Sequence, residues 1–482
     1  MKIRHHSLVA SGYQLSAMLM VLLLSVTLGR PPQATQAASE RFFVRQGDNI
    51  GKAPNGNDWI QTIQGAIIQA EQLNTSEPPV IEVWADGNIC GSPCIFNDSL
   101  TITKPVRLIV KEGTGVAILK PALNNQRVIL IDGSKSSITS ENTEITGFTI
   151  SNGNAASEAI MPGYGGGMLV MNASPLIRNN IIEENVANND AAGNDAFGGG
   201  VFLLNSAAIL RGNVIRNNLA GGVGTRRGHG GGVAVSGGSV TLEHNLIDNN
   251  SAATIASTQI EMQGIGGGVY LNTSTGAGHR LIGNIISRNV ASISTARPSV
   301  AGGVYTYVAQ VSMENNMIVR NLDMENGDGL WFDGATGMLL NNTIANNGGV
   351  SGVGIHVRFP SSTAANPQLS IINTIIAGHD IGVLADTNAT VQLKATLFYA
   401  QQNLNTLQQD GGLISSSQAI EADPLFVDAS NDNFHIQRTS PAINAGSSAP
   451  LSDDIDRQPR WALPDLGADE YASSIYLPLI LR

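Results

Sequence analysis

Residues 198–218 read GGGVFLLNSAAILRGNVIRNN, and this stretch decides the fold. Val201–Leu204 is a short apolar run, Asn205-Ser-Ala207 is a turn, and Ala208–Leu210 is a second run. Gly212-Asn213 turns again into a third run, Val214–Arg216. Runs of three or four residues are too short to be hairpins with a core of their own. The sentence recurs. The first Asn of Asn-x-Ile falls at Asn180, Asn213, Asn245, Asn284, Asn316, Asn342 and Asn373. The Ile falls at Ile182, Ile215, Ile247, Ile286, Ile318, Ile344 and Ile375. A second Asn follows five residues after the first, at Asn185, Asn218, Asn250, Asn289, Asn321 and Asn347, with Gly378 interrupting. Repetition at this period fixes the architecture before local propensity does.

Each repeat is expected to be one coil of a parallel β-helix, a three-sheet solenoid whose strands pair with the coils on either side. Residues at Met168, Val201, Val233, Val269, Val304, Leu330 and Ile355 should stack inside. So should those two positions later, from Val170 and Leu203 to Val357, because side chains alternate with period two. Each Asn amide is expected to bond the backbone and the Asn one coil away, and the glycines to occupy turns too crowded for a Cβ. These residues are read as scaffold. The stretches between the second Asn and the next glycines vary in length (186–197, 219–228, 251–265, 290–300), so they should project from one edge. That loop edge is the expected place of function.

The 482-residue chain has 5% aromatic and 13% charged residues, 54 glycines and a formal charge of −11. The basic start (Lys2, Arg4), the apolar run Leu15–Leu28 and the small residues at 35–38 read as a signal peptide over 1–38. Its removal would take the charge to −14. That charge argues against nucleic acid as a partner, and the signal peptide implies a secreted, extracellular or cell-surface protein. Cys90 and Cys94 could close a small disulfide loop outside the cell. Apolar residues at 59, 60, 63, 67, 70 and 73 line one face of a helix over 58–73, with Asp58 as N-cap and Gln61 at N3. A solenoid end needs cover, so this helix is expected to cap it. Strands are expected at Val80–Val83, Leu100–Ile102 and Val106–Val110.

The order Trp59-Ile-Gln-Thr-Ile-Gln, Ile81-Glu-Val, Leu100-Thr-Ile-Thr-Lys104, Gly-Phe-Thr-Ile150 and the Asn-x-Ile rungs resembles the right-handed parallel β-helix (pectin-lyase-like) superfamily over about 41–400. Asp423–Asp428, Phe434–Gln437, Ser440–Gly446, Asp456–Arg460 and Asp465–Tyr471 resemble the "choice-of-anchor Q" region of secreted bacterial β-helix proteins. The expected organisation is an N-terminal cap with first coils at 39–110, the β-helix at 111–400, the anchor-like region at 401–472 and a tail at 473–482. That tail reads either as a sorting signal or as a last edge strand. The resemblance implies fold and secretion; the fold hosts lyases, hydrolases and adhesins alike.

A lyase needs a base and a hydrolase two carboxyls, and adjacent coils can supply either. Arg226, Arg227 and His229 are the candidate bases, and Asp323, Glu325 and Asp328 the candidate acids or cation ligands. Asp190, Asn194 and Asp195 are a second candidate cation loop, in addition to Asp323 and Asp328, and calcium is the ion such carboxylates suit. Asp453–Asp456 offers a further carboxylate group without the full calcium-loop spacing. Gly228-His229-Gly230 matches a hydrolase motif whose companion motifs are missing, so it is read as accidental; Arg457–Arg460 is read as a turn. His279, Arg280, His356 and Arg358 read as isolated surface residues. Two functions follow: a monomeric, envelope-associated protein that binds an extracellular polysaccharide, with or without cleaving it as lyase or glycosidase, or a non-catalytic adhesin or structural protein.

Overall fold

In the computed structural model the described residues are 39–47, 52–188, 194–222, 225–254, 263–273, 278–292, 299–323, 329–348, 352–359, 368–461 and 463–471. The expected signal peptide and the tail lie outside them. Between Glu40 and Glu421 the described residues form a right-handed parallel β-helix of three long sheets. One coil runs through Val201–Ser206, Ile209–Arg211 and Val214–Arg216. These strands belong, in turn, to an 11-stranded sheet after the glycines (the glycine sheet), a 13-stranded middle sheet and a 12-stranded asparagine sheet. The coils continue to the strands Leu413–Ser417 and Ile420–Glu421.

The core follows the expected register. Met168, Val201, Val233, Val269, Val304, Leu330 and Ile355 are successive partners. The stack extends back to Ile129 and on to Val383. All of these side chains are buried. Burial of each aliphatic group is worth about 1.5–3 kcal/mol, so the stack is the main stabilising element.

The asparagines form two ladders. Asn213 Oδ1 accepts the Asn180 N–H at 3.0 Å and its Nδ2 at 3.2 Å, while Asn180 Nδ2 also donates to Ile145 O at 2.9 Å. Every rung thus satisfies a buried amide that water cannot reach. The glycines behave as expected: Gly198 has φ +64°, and a Cβ on Gly199 would lie 2.4 Å from the Leu219 carbonyl carbon.

The seventh repeat is displaced by one residue from the sequence reading. Asn373 has φ +52° and occupies the left-handed turn held by Asn341 in the previous coil. Thr374 takes the rung position, and Ile376, not Ile375, pairs with Ile344. Two consecutive isoleucines allowed either alignment; backbone register decides. The second ladder continues where Gly378 seemed to break it. Asn347 meets His379, and Gln401 then accepts the His379 N–H at 3.0 Å and donates to Ile376 O at 2.7 Å.

Helix α1 spans Ile63–Glu71. Its N-cap is Thr62, whose hydroxyl accepts from Gly65 N at 3.1 Å, rather than Asp58. Asp58 instead pairs with Lys52 at 2.6 Å in a small bridged loop, which keeps Trp59 and Ile60 extended. The helix buries Ile63, Ala66, Ile67 and Ala70 against the first strands, with Ile81, Val83, Leu100 and Ile102 in the same core. Cys90 and Cys94 are disulfide-bonded.

Beyond Glu421 the chain leaves the solenoid. Phe426–Asp428 and Asn433–Ile436 make an antiparallel hairpin. Phe434, Ile436, Ala442, Leu466 and Ala468 pack on the outer face of the asparagine sheet against Met317, Val319, Ile375, Ala377 and Leu397. The left-handed Asn315, Asn341 and Asn373 turn their amides outward onto the carbonyls of Asp453, Asp465 and Ser447. Arg460, which the sequence placed in a turn, is buried and paired with Glu470 at 2.9 Å. It also donates to Gly467 O, Ala468 O and Asn315 Oδ1.

Candidate functional site

The variable stretches do stack at one edge. Val186–Asn188, Leu219–Gly221 and Ser251–Ala253 form one short parallel sheet, and Ala196–Phe197, Arg227–His229 and Gln263–Ile265 form another. Arg226 is exposed. Arg227 grips Asp195 through two contacts, Nη2 to Oδ2 at 2.8 Å and Nε to Oδ1 at 3.2 Å. That pairing engages both the candidate base and the candidate cation ligand. His229 lies face to face with Phe197 at 4.3 Å and edge-on to Tyr270 at 4.8 Å. Its ring nitrogens have no hydrogen-bond partner among the described residues. Burial holds its pKa down at about 4, against the opposing pull of Asp195. Gly228 and Gly230 are needed by the backbone: a Cβ on Gly228 would meet Ala252 O at 1.6 Å, and Gly230 has φ +62°. The Gly-His-Gly triplet is therefore explained by packing.

Asp323 is buried beside Leu322, which bridges to Val290. It sits three coils beyond Arg227, about 14 Å along the axis at one strand spacing per coil. The structure thus does not join these two candidates in one contact. Glu325, Asp328 and Asp190 lie outside the described residues.

The residues read as isolated are not isolated. On the outer face of the glycine sheet, register sets Asp333 beside Arg358 and Trp331 beside His356. Arg358 donates to Asp333 from Nε at 3.1 Å and from Nη2 at 3.0 Å, and the Tyr305 hydroxyl donates to Asp333 Oδ2 at 2.7 Å. Arg358 covers the Trp331 ring at 5.3 Å, and His356 Nε2 lies 3.5 Å from Asp386 Oδ2. Burial, reinforced by the Asp333 charge, raises the Tyr305 pKa. Burial pulls the Arg358 pKa down, yet the hydrogen bond and charge of Asp333 leave it raised overall. With its partners committed, this cluster reads as a rivet between coils. The signal was available: stacking Leu330 with Ile355 sets 331 beside 356 and 333 beside 358, and period-two alternation turns all four to the outer face. His279 is buried too, facing the core and accepting from Val240 N at 3.3 Å. Burial lowers its pKa to about 4.

The open feature lies elsewhere, on the outer face of the middle sheet. A concavity of about 650 Å³ runs across four coils there. Two outward columns line it. Gly278, Gln310 and Thr336 are successive partners in one, with Gln368 next in line. Arg280, Ser312, Met338 and Ser370 are successive partners in the other. Gly278 carries no side chain into the outer face, which leaves the floor low at that coil. Arg280 is half exposed and lies 3.6 Å from Glu314 at the rim. At the positions equivalent to Arg280 and Ser312, earlier coils of the same sheet carry Leu176, Ile209 and Thr241.

The family described as "Right handed beta helix region" matches residues 122–275. No curated protein matches the sequence. Among solved structures, that of the pectate lyase Pel9A is similar at 13% identity and a TM-score of 0.46, over 90% of this chain and 97% of that one. The family match and the observed coils agree on one conclusion, a right-handed parallel β-helix.

Proposed function

We propose that this protein binds an extracellular polysaccharide along the outer face of its middle sheet. The observation that carries this reading is the pair of polar columns. Hydroxyl and amide side chains repeat there coil after coil, about 4.8 Å apart, in a trough open along the axis. A polymer of repeating hydroxyl-bearing units laid along that axis meets a hydroxyl or amide side chain in three successive coils: Gln310 and Ser312, then Thr336, then Gln368 and Ser370. A compact ligand would call for a closed apolar pocket instead. Met338 adds an apolar contact and Arg280 the one guanidinium in the trough. The disulfide and the signal-like leader support an extracellular setting.

Binding rather than hydrolysis is the reading favoured here, because the described trough residues include no carboxyl. Glycoside hydrolysis generally uses two. The test is a polysaccharide panel with co-sedimentation and mass spectrometry of the supernatant, on the protein and on Ser312→Trp, which fills the trough. Binding that Ser312→Trp abolishes, with intact polymer in the supernatant, supports the reading. Shortened products would replace it with an enzyme. Binding that survives the tryptophan would move the site elsewhere.

A further inference from the structure

We propose that His435, Asp456 and Asp469 form a site for a zinc-class divalent cation that fastens the C-terminal segment together. The three residues come from separate stretches: the second hairpin strand, the turn bridged between Asp453 and Pro459, and the segment following Asp465. One ligand atom from each lies within 4.8 Å of the others. His435 Nε2 is 3.0 Å from Asp456 Oδ2. Ligand atoms around tetrahedral zinc sit about 3.3 Å apart, given bonds of about 2.0–2.2 Å. The trio therefore needs to close by no more than about 1.5 Å to hold an ion.

The supporting contacts are those a metal-binding histidine uses. His435 Nδ1 is 2.8 Å from Asn433 Oδ1, which orients the ring with Nε2 toward the carboxylates. Asp469 is 6% exposed, and its Oδ2 accepts the Ile436 N–H at 2.8 Å, so its carboxylate is anchored before any ion arrives. His435 and Asp456 have side chains 35% and 45% exposed, leaving an entry path and room for water as a fourth ligand. An imidazole with two carboxylates suits zinc or a similar transition ion. Calcium prefers six to eight oxygens. An ion held by three stretches converts its binding free energy into stability of the segment that carries them.

The experiment uses the full chain after chelator dialysis, titrated calorimetrically with zinc chloride and melted with and without it. His435→Gln and Asp469→Asn are measured alongside. The expected result is one zinc per chain and a rise in Tm, with affinity falling about tenfold or more in each variant. Calcium chloride should give neither effect. Absence of zinc binding, or binding equal in both variants, overturns the proposal and leaves a plain His435–Asp456 ion pair. Calcium binding as tight as zinc and unchanged in His435→Gln overturns it as well, as adsorption to an acidic surface. If Asp469→Asn does not fold, the more exposed His435→Gln decides.

Discussion

The side-chain amide of Asn347 meets Nε2 of His379 at 3.3 Å, where each earlier rung of the ladder meets another asparagine. His379 is fully buried, and burial drives its pKa down to about 3 despite a hydrogen bond with Gln401. The folded state therefore holds it neutral while the unfolded chain protonates it near pH 6.5. His379→Asn restores the common rung. Its effect at pH 8 should be small, within about 1 kcal/mol. At pH 5 it should stabilise by about 2 kcal/mol, because the unfolded state no longer gains a proton there. Urea unfolding at the two pH values measures both. Equal effects at the two would contradict a neutral buried ring.

The same logic gives the acid response of the whole solenoid. His229 and His279 are both held at about 4, chiefly by burial; Asp195 and Arg227 act on His229 in opposite directions. Each folded pKa lies below the unfolded value, so stability is complete above about pH 6.5 and falls as pH drops toward 4. The loss is on the order of 3 kcal/mol per histidine. Asp465, pushed up to about 6 by burial, works in the opposite sense: its folded form binds the proton first, so it gains stability between pH 6 and 4. Asp469 is likewise pushed up to about 6 by burial, and three histidines against these two carboxyls predict a net fall in Tm between pH 7 and pH 4.5. A flat profile would mean the rings are protonated in place.

Much of this was legible in the residues. Val201, Ile215 and Asn218 announce their places because scaffold positions repeat, and repetition converts one local guess into a tested register. Legibility ended where repetition did. The shift at Asn373 was hidden by the adjacent pair Ile375-Ile376. The buried places of His279 and Arg460 depended on which coil or segment lies above them, and no spacing along the chain encodes that. The trough was invisible for the same reason: Ser312, Thr336 and Gln368 are unremarkable polar residues until pairing lines them up. The signal that was available is the change on the middle sheet from Leu176 and Ile209 to Ser312 and Ser370 at equivalent positions.

Ile215 tests the inward register. It has no exposed surface and is flanked by Ile182 and Ile247 in the neighbouring coils. Ile215→Asp puts an unpaired charge among them and should destabilise by several kcal/mol, on the order of 4 or more. Asn218→Ala is the matching polar test. It removes the acceptor of both the Asn185 N–H and Asn185 Nδ2, and the donor to Ile182 O. Leaving such groups buried and unpaired costs about 1–3 kcal/mol each, so this variant should also lose its cooperative unfolding transition at 37 °C. A soluble Ile215→Asp that melts normally would mean the side chain faces outward.

Arg280 decides what kind of glycan the trough accepts. The chain carries a formal charge of −11, so a polyanionic polymer is repelled at long range. Arg280 offers a local attraction, but Glu314 at 3.6 Å shares its charge and more than half of its side chain is in water. Such a pair contributes at most about 1 kcal/mol, so Arg280→Ala should leave Tm within about 2 °C of the original. Neutral polysaccharides should bind the variant within about twofold of the parent, with little salt dependence, since hydroxyl and amide contacts are not screened. Carboxylated polymers should bind weakly to the parent and several-fold more weakly to the variant. Binding of a neutral polymer that collapses on raising salt to about one Debye length of 8 Å would show that charge, not the polar columns, holds the ligand.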